Sequence, residues 1–469
     1  MDESSLLSSR AVENVQNPDH WAPLVQALSN SWSETNVEGT VILGLAENTL
    51  MHREIAGHIK EHFEIDTHSQ FTYGYGPQGS PRLQKALATF FKENFHARGE
   101  VKAEQFVIAS GVSAVIDHVT WCICDEGEGI LFPAPLYTGF TNDLPTRSRG
   151  KLLPVSFRRD DGRLDLDDIF DATANTRCME RALVQAKQNG VKVKAVMITN
   201  PHNPLGKCYP PDAIKAIAAF CEKHSLHYLS DEIYANSVFV NDQYPEAITF
   251  HSVLSVDLDK VIRPDLVHVL YGAAKDFCAN GLRLGALYTR SSALRNAMVT
   301  ITYVPGFKQY DHTFSWPSYV IQDTWARIFE DEKFLRWYLP ENQKRLAANY
   351  CTLIKFLDKN SISYFRGGNA GIFLWVYLGQ GTASSGTPDS AVRKSGREQA
   401  DVASVTLEAE HAYDLLLTDT CLKNGVMIGR GSRFLSEEAG WFRITFSADE
   451  EALRIGLDRI GQSISELSS

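Results

Sequence analysis

The sequence predicts an α/β protein with a large, mostly parallel sheet and a smaller α+β domain. Three observations carry that expectation. From about residue 100 to 290, short apolar runs alternate with amphipathic helical runs, the signature of a parallel sheet covered by helices. Beyond about 310 the alternation stops and longer helical stretches bracket isolated strand-like runs. The unusual polar residues of the first region fall just after predicted strands, where open parallel sheets bind their ligands.

Taken in order, a helix is expected over Pro81 to Phe95, where Leu83, Ala86, Leu87, Phe90 and Phe91 form one stripe. Strands are expected at Phe106–Ala109, Gly129–Phe132, Ala195–Thr199, His227–Ser230, Val267–Leu270 and Leu284–Tyr288. They are short, mostly β-branched or aromatic, and bounded by turn residues. Pro211 to Lys223 reads as a helix, with Ile214, Ile217, Ala218 and Cys221 at helical spacing. Further on come a helical region over Trp316 to Asn360, a strand in "GIFLWVYL" at 371–378 and a last helix over Asp449 to Leu467. Between them, 380–405 is rich in Gly, Ser, Thr and charge and reads as an exposed insertion. The expected organisation is a tail over 1–18, a segment over 19–52 that joins the small domain, a large domain over 53–308 and a small domain over 309–469.

A chain of 469 residues exceeds one ordinary core. Its formal net charge of −11 argues against nucleic acid or an anionic membrane as the main partner, yet leaves room for a small anionic ligand at a local positive site. The eight cysteines show no C-x-x-C pair, so no metal site is expected from them and a reducing compartment is the natural setting. Cys278, close to Lys275, reads as a small packed residue, with a reactive thiol as the alternative. No basic start followed by an apolar run opens the chain, and no uncharged apolar run reaches the length of a membrane span. The expectation is a cytoplasmic protein.

Six stretches carry chemistry. In "IASGVSAVIDHV" (108–119) a strand ends, turns at Gly111 and starts a helix, whose first-turn N–H groups at Val112 and Ser113 suit a phosphate; a plain N-cap is the alternative. In "PAPLYTGF" (133–140) prolines stiffen a loop presenting Tyr137, an aromatic face for a flat ring or simply packing. "NPHNPLGKCYP" (200–210) puts two Asn-Pro steps at a strand end; Asn203 is either a turn residue or a donor to an anionic oxygen. In "YLSDEIYANSVF" (228–239) Asp231 ends an apolar strand, where a carboxylate needs a cation unless it caps a helix, and Tyr234 follows three residues on. "LYGAAKDFCANGLRLGALYT" (270–289) sets Lys275 among small residues, where a desolvated amine becomes a nucleophile toward an aldehyde, with Arg283 suited to phosphate; a surface lysine is the bland alternative. In "GWFRITFS" (440–447) Arg443 sits in an apolar strand and wants either an internal salt bridge or a substrate carboxylate. Together these supply what pyridoxal phosphate requires of a protein.

The six stretches, in this order, resemble fold-type-I pyridoxal-phosphate enzymes of the class I/II aminotransferase superfamily. "GLAEN" at 44–48, "PAPLYTGF", "DEIY", "KDF…GLRLG" and "GWFR" resemble most closely the branch containing 1-aminocyclopropane-1-carboxylate synthase. The likeness runs from about 40 to 450, and "WCICDEGEGILFP" (121–133) together with the 380–405 insertion resembles fungal members. It implies a fold with a seven-stranded, mostly parallel sheet and a homodimer with shared sites. It implies that Lys275 condenses with the cofactor aldehyde and shuttles protons, and that Asp231 keeps the pyridine nitrogen protonated. Asn203 and Tyr234 would bond the ring's phenolic oxygen, and Tyr137 would stack on the ring. Val112, Ser113 and Arg283 would hold the phosphate, and Arg443 the substrate carboxylate. Glu47 would face the substrate's leaving side, and Tyr75, with Tyr73 as rival, would reach the neighbouring subunit's cofactor. Two serines common before the lysine are replaced by Gly272 and Ala274, removing a hydroxyl contact to phosphate that is worth about 1 kcal/mol. The implied activity is elimination or substitution on an α-amino acid, S-adenosylmethionine or a sulfur-containing amino acid among the candidates, in the manner of secondary metabolism. The alternatives are an aminotransferase making a 2-keto acid and a regulator that binds pyridoxal phosphate without turnover.

Overall fold

A computed structural model describes residues 7–9, 11–12, 22–302, 316–379 and 400–468, with the side chains of 400–411 outside that description. Of the tail expected over 1–18, only 7–9 and 11–12 are therefore described, and most of the 380–405 insertion lies outside. The end of that insertion is helical, since Ala400–Lys423 forms one helix. No Gly or Pro interrupts Arg397 to Asn424, so nothing in that stretch breaks a helix.

Seven strands build the large sheet: β2 (Phe106–Ala109), β3 (Gly129–Pro133), β4 (Lys151–Val155), β5 (Val193–Thr199), β6 (His227–Asp231), β7 (Val267–Tyr271) and β8 (Gly285–Thr289). Their order across the sheet is β2-β8-β7-β6-β5-β3-β4. β3, β4, β5, β6 and β7 pair in parallel, whereas β8 runs antiparallel to both β7 and β2. Helices cover both faces, and β6, β7 and β8 are buried almost end to end, which is why they read as continuous apolar runs. α1 (His52–His62), α2 (Pro81–Asn94), α3 (Val112–Ile123), α4 (Ala172–Gln188) and α5 (Pro211–His224) belong to this half.

The remainder holds α6 (Tyr319–Glu330), α7 (Glu332–Lys359), α8 (Ala400–Lys423) and α9 (Glu450–Ser468). A small antiparallel sheet runs β11 (Gly429–Arg430), β12 (Trp441–Thr445), β9 (Phe373–Tyr377). Near the start of the chain, β1 (Val41–Ile42) pairs in parallel with β10 (Val426–Met427). A core of Val41, Leu43, Leu353, Phe373, Phe442 and Leu457, among others, packs the small sheet, whereas Trp325, Ile328 and Phe329 of α6 and Leu335 and Tyr338 at the start of α7 join the core of the large sheet. β1 thus delivers residues 44–48 to the boundary between the two sheets. No helix of the described residues is long and apolar enough to cross a membrane.

Phe91 on α2 ties helix to sheet. It is fully buried, stacks on Phe95 at 4.3 Å and meets Phe106 edge-on at 5.0 Å and Tyr271 at 5.7 Å. Phe91→Ala should therefore destabilise the fold by about 3–5 kcal/mol, read as a lower denaturant midpoint.

Candidate active site

β7 ends at Tyr271, and a short helical turn over Ala273–Asp276 swings Lys275 inward. Asp276 fastens that turn. Its carboxylate accepts from Asn236 N at 3.1 Å, Asn236 Nδ2 at 3.0 Å, Ser237 Oγ at 2.7 Å and the Tyr271 hydroxyl at 3.2 Å. Burial pushes Asp276 up to about 6, against the pull of these bonds. Lys275 Nζ donates to Ala46 O at 2.5 Å. Burial, then the nearby Arg443 and Arg283 charges, lower the Lys275 ammonium to about 8, opposed by Glu47 and Asp231. A lysine so placed is a nucleophile near neutral pH.

Lys275 lines a cavity of about 160 Å³. Every residue expected to hold the cofactor lines it too: Val112, Ser113, Tyr137, Asn203, Asp231, Tyr234 and Arg283. They come from the ends of different strands, as an open parallel sheet dictates. Asp231 closes β6 and caps no helix; its Oδ1 accepts from Ile233 N at 3.3 Å. Burial raises its carboxyl to about 7, although Lys275 pulls the other way. Tyr234 is buried edge-on against Phe373 at 5.2 Å, and burial raises its hydroxyl. Tyr137 meets Phe140 edge-on at 5.2 Å. A Cβ on Gly139 would fall 2.4 Å from the Tyr137 ring, so the glycine lets that ring lie flat over the loop.

α3 begins at Val112 with Gly111 as its N-cap, and no side chain caps it. Gly111 adopts a φ of 88°, and a Cβ there would fall 2.4 Å from Arg283 Nη2. The first-turn N–H groups and the guanidinium are thereby pressed together, a natural anion cradle. At Gly272 a Cβ would meet Val112 Cγ2 at 2.7 Å. The Val112 methyl thus fills the space that a side chain at Gly272 would take.

Arg443 resolves its own ambiguity. It lies in β12, is 3% exposed and has no acidic partner within ion-pair distance among the described residues. Instead Nη1 donates to Asn203 Oδ1 at 3.0 Å and Nη2 to Gly44 O at 2.7 Å, while Nε is buried without a partner. Phe373 and Phe434 lie 4.9 Å and 4.7 Å from the guanidinium carbon. Glu47 accepts from Asn280 Nδ2 at 3.3 Å, and Asn280 also reaches Ala46 O at 3.3 Å. Tyr75 does not join the cavity: it is 53% exposed and meets Tyr319 edge-on at 5.8 Å. Tyr73 is more exposed still.

Asp276, Asn280, Thr199 and Asp143 were not singled out by sequence. Thr199 lines the cavity. Asp143 hydrogen-bonds Ser113, has one buried oxygen without a partner, and is raised by burial. The only sequence signal for Asp143 was its place six residues after Tyr137, at the end of the short helix Phe140–Asp143.

Residues 40–460 match the aminotransferase class I and II family. The chain belongs to that family. It is 29% identical to a probable aminotransferase, sirI, of Leptosphaeria maculans, covering 98% of this chain and 99% of that one. A 1-aminocyclopropane-1-carboxylate synthase of Cucurbita pepo is 28% identical over 91% of this chain and 78% of its own. A probable inactive synthase-like protein of Mus musculus is 29% identical over 92% of this chain and 67% of its own. Among solved structures, a Thermus thermophilus aspartate aminotransferase double mutant superposes with a TM-score of 0.66 at 17% identity, covering 97% of this chain and 99% of that one, which shows the fold. The protein is thus a pyridoxal-phosphate enzyme with an aspartate-aminotransferase-type fold.

The residues present fit that cofactor. Asp231, buried and without an ion-pair partner among the described residues, suits a protonated ring nitrogen. The uncapped N-terminus of α3 and Arg283 suit a phosphate, and Lys275 suits an aldehyde. Recombination of the cofactor-free protein with pyridoxal phosphate should accelerate as pH rises toward about 8, where the Lys275 amine loses its proton, and level off above it. Stopped-flow absorbance checks the profile, and Lys275→Ala should show no protein-bound visible band at any pH.

Proposed function

We propose that this enzyme acts on an α-amino acid by elimination or substitution, in the manner of the synthase-like branch, with Glu47 facing the group that leaves. The observation that carries this reading is Glu47 itself. It is held by Asn280 close enough to Lys275 for its charge to oppose the lowering of the ammonium by burial, and its backbone O accepts from Ser447 Oγ at 2.6 Å. A carboxylate fixed there favours a substrate whose side chain is cationic, such as a sulfonium.

Pyridoxal phosphate, when bound, supplies an electron sink for a carbanion at the substrate Cα. The chain's residues do the rest. Arg443, already dry and flanked by two aromatic rings, grips the α-carboxylate and fixes which Cα bond faces the ring. Asn203, its Oδ1 occupied by Arg443, offers its amide N–H to the ring's phenolic oxygen beside the Tyr234 hydroxyl. Asp231 keeps the ring nitrogen protonated. The Lys275 amine removes the Cα proton and returns one where the reaction ends. Tyr137 covers the ring, and Val112, Ser113 and Arg283 hold the phosphate. Tyr75, facing outward, serves the site of a second copy in a homodimer.

Transamination is the second reading. It is favoured by the likeness, over nearly the whole of both chains, to a relative named as a probable aminotransferase.

Incubating the purified protein with a panel of amino acids and S-adenosylmethionine, with mass analysis, separates the two. Free thiol, ammonia or a cyclic amino acid is expected; a 2-keto acid with the pyridoxamine form of the cofactor would establish transamination instead. Arg443→Ala should weaken amino-acid binding by roughly 2–5 kcal/mol while cofactor affinity changes little, measured by parallel titrations. Equal losses would remove the carboxylate role.

A further inference from the structure

Away from the cofactor cavity, the C-terminal end of α1 meets the start of α7. His58 and His62 stand one turn apart on α1, their rings stacked at 4.3 Å. Asp331, the N-cap of α7, approaches from a point 273 residues along the chain from His58, with Oδ2 3.1 Å from His58 Nε2. One donor atom from each of the three lies within 4.8 Å of the others.

We propose that His58, His62 and Asp331 form a binding site for a divalent first-row transition ion of the zinc type. The tautomer of His62 is the first argument. Its Nδ1 lies 2.9 Å from His58 O, a carbonyl that can only accept, so Nδ1 carries the proton and Nε2 presents its lone pair. A second ring nitrogen bonded to a backbone carbonyl is the arrangement that orients metal-binding histidines. The second argument is His58, only 7% exposed, whose Nδ1 is buried without a hydrogen-bond partner. The nitrogen that faces Asp331 is Nε2, at 3.1 Å from Oδ2, a separation two ligands of one ion can share. Beside the two imidazoles lies a cavity of about 10 Å³, lined by His58, His62, Glu64 and Arg327 among others; Asp331 is not part of its lining and meets His58 at the other ring nitrogen, Nε2.

Charge agrees. The last turn of α1 carries the negative end of its helix dipole, and Glu61 lies near His58. The cation closest to the cavity, Arg327, is paired with Glu64 at 2.7 Å. Two imidazoles and a carboxylate, with a fourth position open to water beside exposed His62, suit zinc rather than magnesium or calcium, which prefer oxygen donors. Such an ion would tie α1 to α7 and so fasten the large half of the molecule to the helix that leads into the small one.

The test uses the full-length holoenzyme after dialysis against a chelator. Zinc is titrated in competition with a chromophoric indicator, and the loaded protein is examined by zinc K-edge X-ray absorption. One ion per chain is expected, with imidazole and carboxylate scattering. Affinity should fall at least about tenfold in His62→Ala, whose side chain is exposed, and in Asp331→Asn, which retains an oxygen to cap Phe334 N. Absence of saturable binding, equal affinity in His62→Ala, or sulfur scattering from a cysteine would each overturn the proposal.

Discussion

The site depends on keeping three charged side chains dry without giving any of them an ion-pair partner among the described residues. Lys275, Asp231 and Arg443 are each desolvated, and each shifts toward its neutral form as a result. Unpaired charges in a protein interior are destabilising unless hydrogen bonds and fixed dipoles compensate. Here Ala46 O, Ile233 N, Asn203 and Gly44 O supply partial compensation, and two phenylalanine rings flank the guanidinium. What is left unsatisfied is what a cofactor and an amino acid bring: a ring nitrogen, an aldehyde and a carboxylate. Binding therefore completes the charge pattern instead of disrupting it, and little reorganisation remains for the reacting groups.

Much of this was legible in the sequence because it follows from strand ends. β2 was read residue for residue, and the other strands expected in the large sheet were placed to within a residue or two. The residues that carry chemistry sit at the breaks between these runs, and such breaks are visible. β4 was not visible. Lys151–Val155 is an edge strand with Pro154 in it and much of it exposed, so its apolar pattern is weak. α4, rich in polar residues, escaped for a similar reason. Within the site, Asp276 and Asn280 were missed because their role lies in contacts with Asn236, Ser237 and Ala46, from other parts of the chain. For Arg443 the sequence offered two partners, and only the fold showed that no carboxylate of the described chain comes near it.

The phosphate cradle shows how a departure can be absorbed. Loss of the hydroxyl before the lysine would seem to open a gap at Gly272. Val112 closes it from the facing helix, and no Cβ fits beside it. At that point the cradle presents an apolar wall. Ser113, the hydroxyl that remains, is engaged by Asp143, so the guanidinium of Arg283 carries a larger share of the attraction.

The stretch from Gly44 to Ala46 spans two duties. Its first carbonyl holds Arg443 and its last holds Lys275, while β1 pins it upstream. The amine gives Ala46 O a proton, not its lone pair, so this carbonyl orients the nucleophile without blocking it, while Gly44 O holds the guanidinium. The amine meant for an aldehyde and the guanidinium meant for a carboxylate are thus aligned by carbonyls only two residues apart, so one short piece of backbone sets the spacing between the two capture points.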